Sequence, residues 1–307
     1  MLTFRRIMQG ERCGAGLILL GLAWGWGMGL EAGQEPFRLA FSTSKFSDVH
    51  ENDAKAAVMA WARTFAEEQG AGVDPQAMVF SSLDEMREGL IDGTIDMLSV
   101  VTEEYYALQA VAAKSPLLVT VADGRDREEV VLLVHRESGL EAVEDLAGGT
   151  LVLHRNPRAS LALPWLDGVL LERGLPVAQE FVGDFRENAK LTGVVLPVFF
   201  RKVDACLVTR GAFETMSELN PQVGRDLVEI AVSPALVPTV IFFRKDYDSP
   251  QKETILASLN RLDDSVAGRQ VLAIFRSERL AEQPRSYFQE ALDVIERTMR
   301  LRAGERP

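Results

Sequence analysis

Glu144-Asp-Leu-Ala-Gly-Gly-Thr-Leu-Val-Leu-His-Arg-Asn-Pro-Arg-Ala-Ser-Leu-Ala-Leu-Pro-Trp165 is the stretch on which the fold turns. Its apolar run, Leu151 to Leu153, has the length and the flanks of a short buried strand. Asn156, Pro157, Arg158, Ala159 and Ser160 then supply turn formers and a cap just before the apolar-periodic segment Leu161 to Leu171. A strand therefore feeds a helix through a tight polar loop. The first N–H groups of such a helix have no intrahelical acceptor and sit at the positive end of its dipole, so the loop can seat an anion, with Arg158 as a charge beside it. The same residues admit a purely local role, in which Ser160 caps the helix and Arg158 is solvated.

Outward from that stretch, the elements alternate. Upstream, Phe37 to Phe41 reads as a strand, followed by the polar loop from Ser42 to Asn52 and a helix with Ala56, Met59, Ala60 and Phe65 at helical spacing. Met78 to Phe80 predicts a second strand, Leu83 to Leu90 a helix opened by Ser82 and Glu85 in capping-box spacing, and Ile95 to Val101 a third strand. Thr102-Glu103-Glu104 opens the next helix. Strand, helix, strand, helix implies a parallel sheet with helices on both faces.

Leu117 to Val121 and Val130 to His135 are two further strands that read as the crossing out of a first lobe. Downstream of the central stretch, a strand near Phe181, a helix through Val194 to Phe200 and a strand at Ala205 to Val208 extend a second α/β unit. Val228 to Val232 leads through Ser233-Pro234-Ala235-Leu236-Val237-Pro238 into the apolar run Thr239 to Phe243, a strand that returns to the first lobe, and helices fill the remainder to Leu301. The expected organisation is an α/β protein with lobe 1 over residues 34–128 and 233–307, lobe 2 over 129–232, and a cleft between them lined by loops at strand carboxyl ends.

Composition bounds the function. With 307 residues, 47% hydrophobic and 25% charged, the chain can bury a sizeable core, and its formal net charge of -12 excludes a general binder of nucleic acid or anionic membrane. Residues 1–33 read as an export leader: Arg5, Arg6 and Arg12 precede the apolar run Cys13 to Leu30, with small and polar residues around Ala32 and Gly33. The run is almost long enough to serve instead as an uncleaved membrane anchor. Cys13 lies ahead of that run, the wrong side for a lipid-modified cysteine. Cys206, between Ala205 and Leu207, reads as a core residue without catalytic partners.

At this point five pieces fall in a telling order. They are Phe37-Arg-Leu-Ala-Phe41, Glu88-Gly-Leu-Ile-Asp-Gly-Thr-Ile-Asp96, Glu144 to Gly149, Lys202-Val-Asp-Ala205, and Ser233-Pro234 with Pro238 before the returning strand. Together they resemble the periplasmic substrate-binding proteins of ABC importers, and most closely the phosphate, phosphite and phosphonate-binding branch of the type II binding-protein fold. That resemblance spans nearly all of the chain after the leader, from about Pro36 to Leu280. It implies a ligand cradle at Ser42, Thr43 and Ser44, at Thr102 with Tyr105, and at Asn156 through Ser160. Hydroxyls and helix-start N–H groups are what an oxyanion needs. The third piece departs from the Ser/Thr-rich pattern of the branch: one hydroxyl, Ser160, remains and Arg158 has entered, while Lys190 stands near a position where the branch has a histidine. The departure widens the expected solutes to phosphonate-like oxyanions, sulfonates and carboxylates, which a guanidinium binds bidentately.

Two more residues fall near the expected cleft. Asp204, at a helix-to-strand step, is either a turn residue or an acceptor for an amino group, and Arg210, after the strand Ala205 to Val208, is a second anion candidate. His50, His135 and His154 show no metal-ligand spacing, and neither a Gly-x-Ser-x-Gly elbow, a His-Glu-x-x-His nor a Walker loop is present, so no cofactor, metal or enzymatic activity is expected. The expectation is an exported, monomeric solute-binding protein that closes on a small anionic solute and presents it to an ABC permease in the inner membrane. The alternative partner is a membrane sensor, and a hydrolytic enzyme comes third, on Glu103 and Glu104 alone.

Overall fold

The computed structural model describes residues 35–46, 73–305 and, between 52 and 63, part of a helical segment. The leader 1–33 lies outside the described residues. Two sheets organise the rest. The first runs β11-β4-β10-β3-β1-β2, built from β1 (Glu35–Ser42), β2 (Val73–Phe80), β3 (Met97–Val101), β4 (Ala112–Val121), β10 (Thr239–Arg244) and β11 (Arg279–Gln283). The second runs β7-β6-β8-β5-β9, from β5 (Val130–His135), β6 (Thr150–His154), β7 (Asp184–Asn188), β8 (Ala205–Thr209) and β9 (Leu227–Val232).

Both sheets are mixed. β1 lies parallel to β2 and β3, and β6 parallel to β7 and β8, as strand-helix-strand units require. β10 runs antiparallel to β3 and β4, and β5 antiparallel to β8 and β9. These are the strands next to the two segments that cross between the sheets.

Burial follows the apolar runs. β3, β5 and β8 are buried along their whole length, since helices cover both faces of each sheet. Leu118, Ile241 and Phe243 pack on one face of the first sheet against Ile255, Leu259 and Val271, while Val100, Phe242 and Leu98 pack on the other with Phe288 and Leu292. In the second sheet Leu132, Leu151 and Leu207 meet Leu166 and Leu170 of the helix Ala162–Glu172, joined by Val294 and Ile295 of the last helix, Gln289–Arg302. That last helix thus reaches the second sheet's core. Its Thr298 Oγ1 donates to Pro164 O at 2.9 Å, and its Arg302 pairs with buried Asp167, whose other oxygen accepts from Ala178 N at 2.7 Å.

The predicted helix after Ser82 spans Leu83–Asp92, capped by Ser82 Oγ accepting from Glu85 N and stopped by Gly93 at φ 79°. Four local readings differ from the structure. Phe181 ends a short helix, Ala178–Phe181, and the strand follows it at Asp184–Asn188. β11 forms where only helix was expected, because Arg279–Gln283 is a half-exposed edge strand with little apolar signal. The helix Arg210–Leu219, opened by Thr209 accepting from Ala212 N, had no distinct start signal beyond that threonine. Ser160 does not cap Ala162–Glu172, which lacks a side-chain cap.

The crossings are pinned together. Glu128 N donates to Leu236 O at 2.7 Å and Leu236 N to Glu128 O at 2.8 Å. Buried Ser233 accepts from Val130 N through its Oγ at 2.8 Å and donates to Pro234 O. Among the described residues no helix is long and apolar enough to cross a membrane.

Candidate functional site

The carboxyl ends of β1, β6 and β8 open onto a cavity of about 420 Å³ between the two sheets, within the size range of small-ligand pockets. The end of β1 contributes Lys45 and Phe46, the end of β6 contributes His154 and Asn156 to Arg158, and the end of β8 contributes Thr209, Gly211 and Ala212. The crossing segment supplies Asp123 and Glu128, and Phe275 with Arg276 closes one side. Asp123 and Arg276 both sit in the left-handed backbone region at φ 49°. One wall is aromatic: Phe275 stacks on Phe41 at 5.4 Å between ring centres and lies 5.7 Å from Phe46.

The loop after β6 is a 3-10 turn, Pro157–Ala159, opened by Asn156. Asn156 Oδ1 accepts from Arg158 N at 2.8 Å and Ala159 N at 3.2 Å, which makes its amide nitrogen the donor to His154 Nδ1 at 2.9 Å. The histidine proton is then on Nε2, facing Ala189 O at 3.3 Å. Asn156 is therefore spent on shaping the turn. Arg158, which lines the cavity, pairs through Nε with Glu128 Oε1 and donates through Nη2 to Arg125 O at 3.0 Å. Its Nη1 is buried without an acceptor among the described residues. Burial pushes the Glu128 carboxyl above its usual range, opposed by the Arg158 charge.

The first-lobe cradle is arranged differently from the expectation. Ser42 and Ser44 both donate to Glu104 Oε1, at 2.6 and 2.7 Å, and Val101 N donates to Glu104 Oε2 at 3.2 Å. The hydroxyls expected to meet a solute oxyanion already meet the chain's own carboxylate. Thr43 starts the short turn Thr43–Lys45 beside them. Lys190 is exposed at the cavity rim, its backbone N–H donating to Asn188 Oδ1.

Five expected residues are corrected by their surroundings. Tyr105 is 1% exposed, packed between Phe242 and Phe288 in the core. Thr102 is wholly buried and donates through Oγ1 to Val237 O at 2.7 Å, holding the returning crossing. Ser160 donates to Pro238 O at 2.9 Å and lines a neighbouring cavity with Glu103 and Arg302, which shares His154 and Asn156 with the first. Asp204 precedes β8, at the end away from the cleft, and accepts from Thr150 N and Oγ1 at 2.8 Å, so it fastens two strand starts. Arg210 is held by Glu129 and, bidentately, by Glu229, outside the cavity lining.

Sequence reasoning passed over Lys45. It is 7% exposed, lines the cavity, and makes no hydrogen bond among the described residues. A lysine in a polar loop reads as solvated, and only the flanking Phe41 and Phe46 hinted at an apolar seat. Among the described residues there is no cluster of three or more His, Cys, Asp or Glu that could hold a metal ion. Cys206 is buried, and burial pushes its thiol up, away from reactivity.

The sequence signature of the ABC transporter phosphonate periplasmic substrate-binding proteins matches residues 46–287. The chain belongs to that family. Phosphonate-family binding proteins serve an ABC permease, take small anionic solutes and are periplasmic. Solved structures place the fold in the same group. A Xanthomonas citri protein bound to ATP aligns with TM-score 0.63 at 16% identity, over 88% of this chain and 98% of that one. A binding protein component of an ABC phosphonate transporter from Pseudomonas aeruginosa aligns at TM-score 0.59 and 13% identity, over 89% of each. PhnD1 from Prochlorococcus marinus, in complex with methylphosphonate, gives 0.57 and 11% over 89% and 100%. No curated protein sequence matches.

Proposed function

We propose that this chain is exported by its leader, works as a monomer, and captures a small organic oxyanion in the cleft by closing its two lobes about the crossing segments. The captured solute then passes to an ABC permease in the inner membrane. In this reading lobe 1 comprises residues 34–128 and 233–307 and lobe 2 residues 129–232, with the last helix, Gln289–Arg302, packed against the core of the second sheet.

One observation carries the reading. Arg158 lines the cavity with a buried guanidinium, fixed on two nitrogens while Nη1 has no acceptor among the described residues. Buried donors are nearly always satisfied, so an orphan guanidinium N–H in a cleft calls for an acceptor from outside, and an anion supplies one. Glu104 already occupies Ser42 and Ser44, which favours solutes gripped by cations over those gripped by a ring of hydroxyls. The relatives solved with methylphosphonate and ATP make phosphorus oxyanions the first to try.

The test is a thermal-shift screen of the leaderless protein against methylphosphonate, ethylphosphonate, phosphite, methanesulfonate and acetate. A ligand at about 100 times its dissociation constant adds about 2.7 kcal/mol, a shift of several degrees. Arg158→Ala abolishes the shift of any hit. A hit undiminished in that variant moves the site away from this cleft. Turnover of a hit would replace capture by catalysis, and transfer to a membrane sensor in place of a permease would support the alternative partner.

A further inference from the structure

Lys45 stands at the junction of two spaces. On one side is the polar cleft, and on the other an apolar cavity of about 60 Å³ walled by Leu39, Val58, Ile241 and Val271. Phe275 borders both and packs with Phe41 and Phe46, and Lys45 between the two spaces is 7% exposed. A buried ammonium needs a partner, since desolvation disfavours the charged form. Among the described residues Lys45 has no hydrogen bond and no ion pair within bridging distance.

The charges around it do not make up the deficit. Arg158, from the loop after β6, opposes its charge, and Glu104, from the helix Thr102–Leu108, favours it but is engaged by Ser42 and Ser44. Glu128 is taken by Arg158, while Asp123, Lys190 and Arg276 line the same cavity. His154 is turned to Asn156 and Ala189.

We propose that Lys45 receives the charged group of the solute, and that its ammonium forms as the anion arrives, so that capture takes up a proton. The inference rests on the anion-capture reading above and adds the residue and the ligand chemistry. The solute is an organic acid whose anionic head lies between Lys45 and Arg158 Nη1, and whose apolar part lies against Phe46 and Phe275. Burial, reinforced by Arg158 and opposed by Glu104, lowers the Lys45 ammonium to about 7 in the unliganded protein. A bound anion raises it again. Affinity is therefore full below pH 7 and falls as pH rises, up to tenfold per unit, until the liganded value is passed.

The experiment titrates the wild type, Lys45→Arg and Lys45→Met by calorimetry at pH 6, 7 and 8. The probes are methylphosphonate, ethylphosphonate, methanesulfonate and acetate, in two buffers of different ionisation enthalpy. For a probe that binds, the wild type loses close to tenfold in affinity from pH 6 to 8, beyond the loss in Lys45→Arg, and takes up close to one proton at pH 8. Lys45→Arg keeps its charge, so its proton uptake disappears apart from that of the probe itself. Lys45→Met, which retains an apolar stem, loses binding at every pH. Should Lys45→Met fail to fold, the proton count of Lys45→Arg decides. A probe bound equally at pH 6 and 8, with no Lys45-dependent proton uptake, overturns this inference and leaves the capture reading intact. No binding by any probe at any pH overturns both.

Discussion

Arg158 is held in place by the protein before any solute arrives, and the residue that holds it is as informative as the arginine itself. Its side chain is 18% exposed and that of Glu128 8%, so the pair is largely desolvated. Removing one partner of such a pair strands the other, and the cost is set by the stranded charge more than by the lost attraction. Arg158→Ala is expected to destabilise by about 2 kcal/mol in chemical denaturation, less than the full penalty because burial already raises the Glu128 carboxyl and lets it protonate. Glu128→Gln added to Arg158→Ala should recover about half of that loss, because the amide has no charge to strand. If the double variant is as unstable as the single, the pair contributes through packing and not through charge. Binding separates from stability in these variants: neither recovers solute affinity, since both lack the guanidinium.

Helices and strands were more legible in the sequence than the side chains they carry. Leu151 to Leu153 and Thr239 to Phe243 stand out as buried strands because helices cover both sheet faces, so nothing dilutes their apolar runs. Arg279–Gln283 did not, because an edge strand with alternating exposure carries little apolar signal. The site was harder still. A serine or threonine at a strand end is equally suited to bind an anion, cap a helix or pin a crossing, and Ser42, Thr102 and Ser160 turned out to bond Glu104, Val237 and Pro238. Such partners are long-range and have no local signature. The same holds for the seam between Ala162–Glu172 and Gln289–Arg302, where Gly168 lets Thr298 approach: a Cβ at Gly168 would lie 2.6 Å from Thr298 Oγ1. Gly168→Ala should cost about 1–3 kcal/mol by overpacking, despite alanine's better helix propensity. Thr298→Ala alone loses the bond to Pro164 O, yet combined with Gly168→Ala it should restore part of the loss, a coupling that a double-mutant cycle reads directly. Simple additivity of the two would mean that the helices separate freely to admit the methyl.

For the molecule as a whole, the site and the surface carry opposite signs. The chain has a formal net charge of -12, while the cleft lining carries Arg158, Lys190 and Arg276 beside Asp123 and Glu128, with Lys45 gaining its charge as the anion arrives. An approaching anion first meets the field of the whole protein, which reaches about 30 Å at 0.01 M salt but only about 8 Å at 0.15 M. Only near the cavity mouth do the local cations dominate, and Arg158 is already neutralised by Glu128. Dilute salt should therefore slow association, and raising NaCl from 10 to 150 mM should speed it, by about two- to fivefold for a monoanion, measured by stopped-flow fluorescence with a solute found in the screen. Competition from chloride would slow the observed rate, so a rise cannot come from it. Dissociation should change little, because salt does not reach contacts buried beside Lys45. A rate that falls with salt, and falls equally when a bulkier, weakly binding anion replaces chloride, would show that the charges of the cleft steer the solute from a distance, and that the acidic surface faces elsewhere.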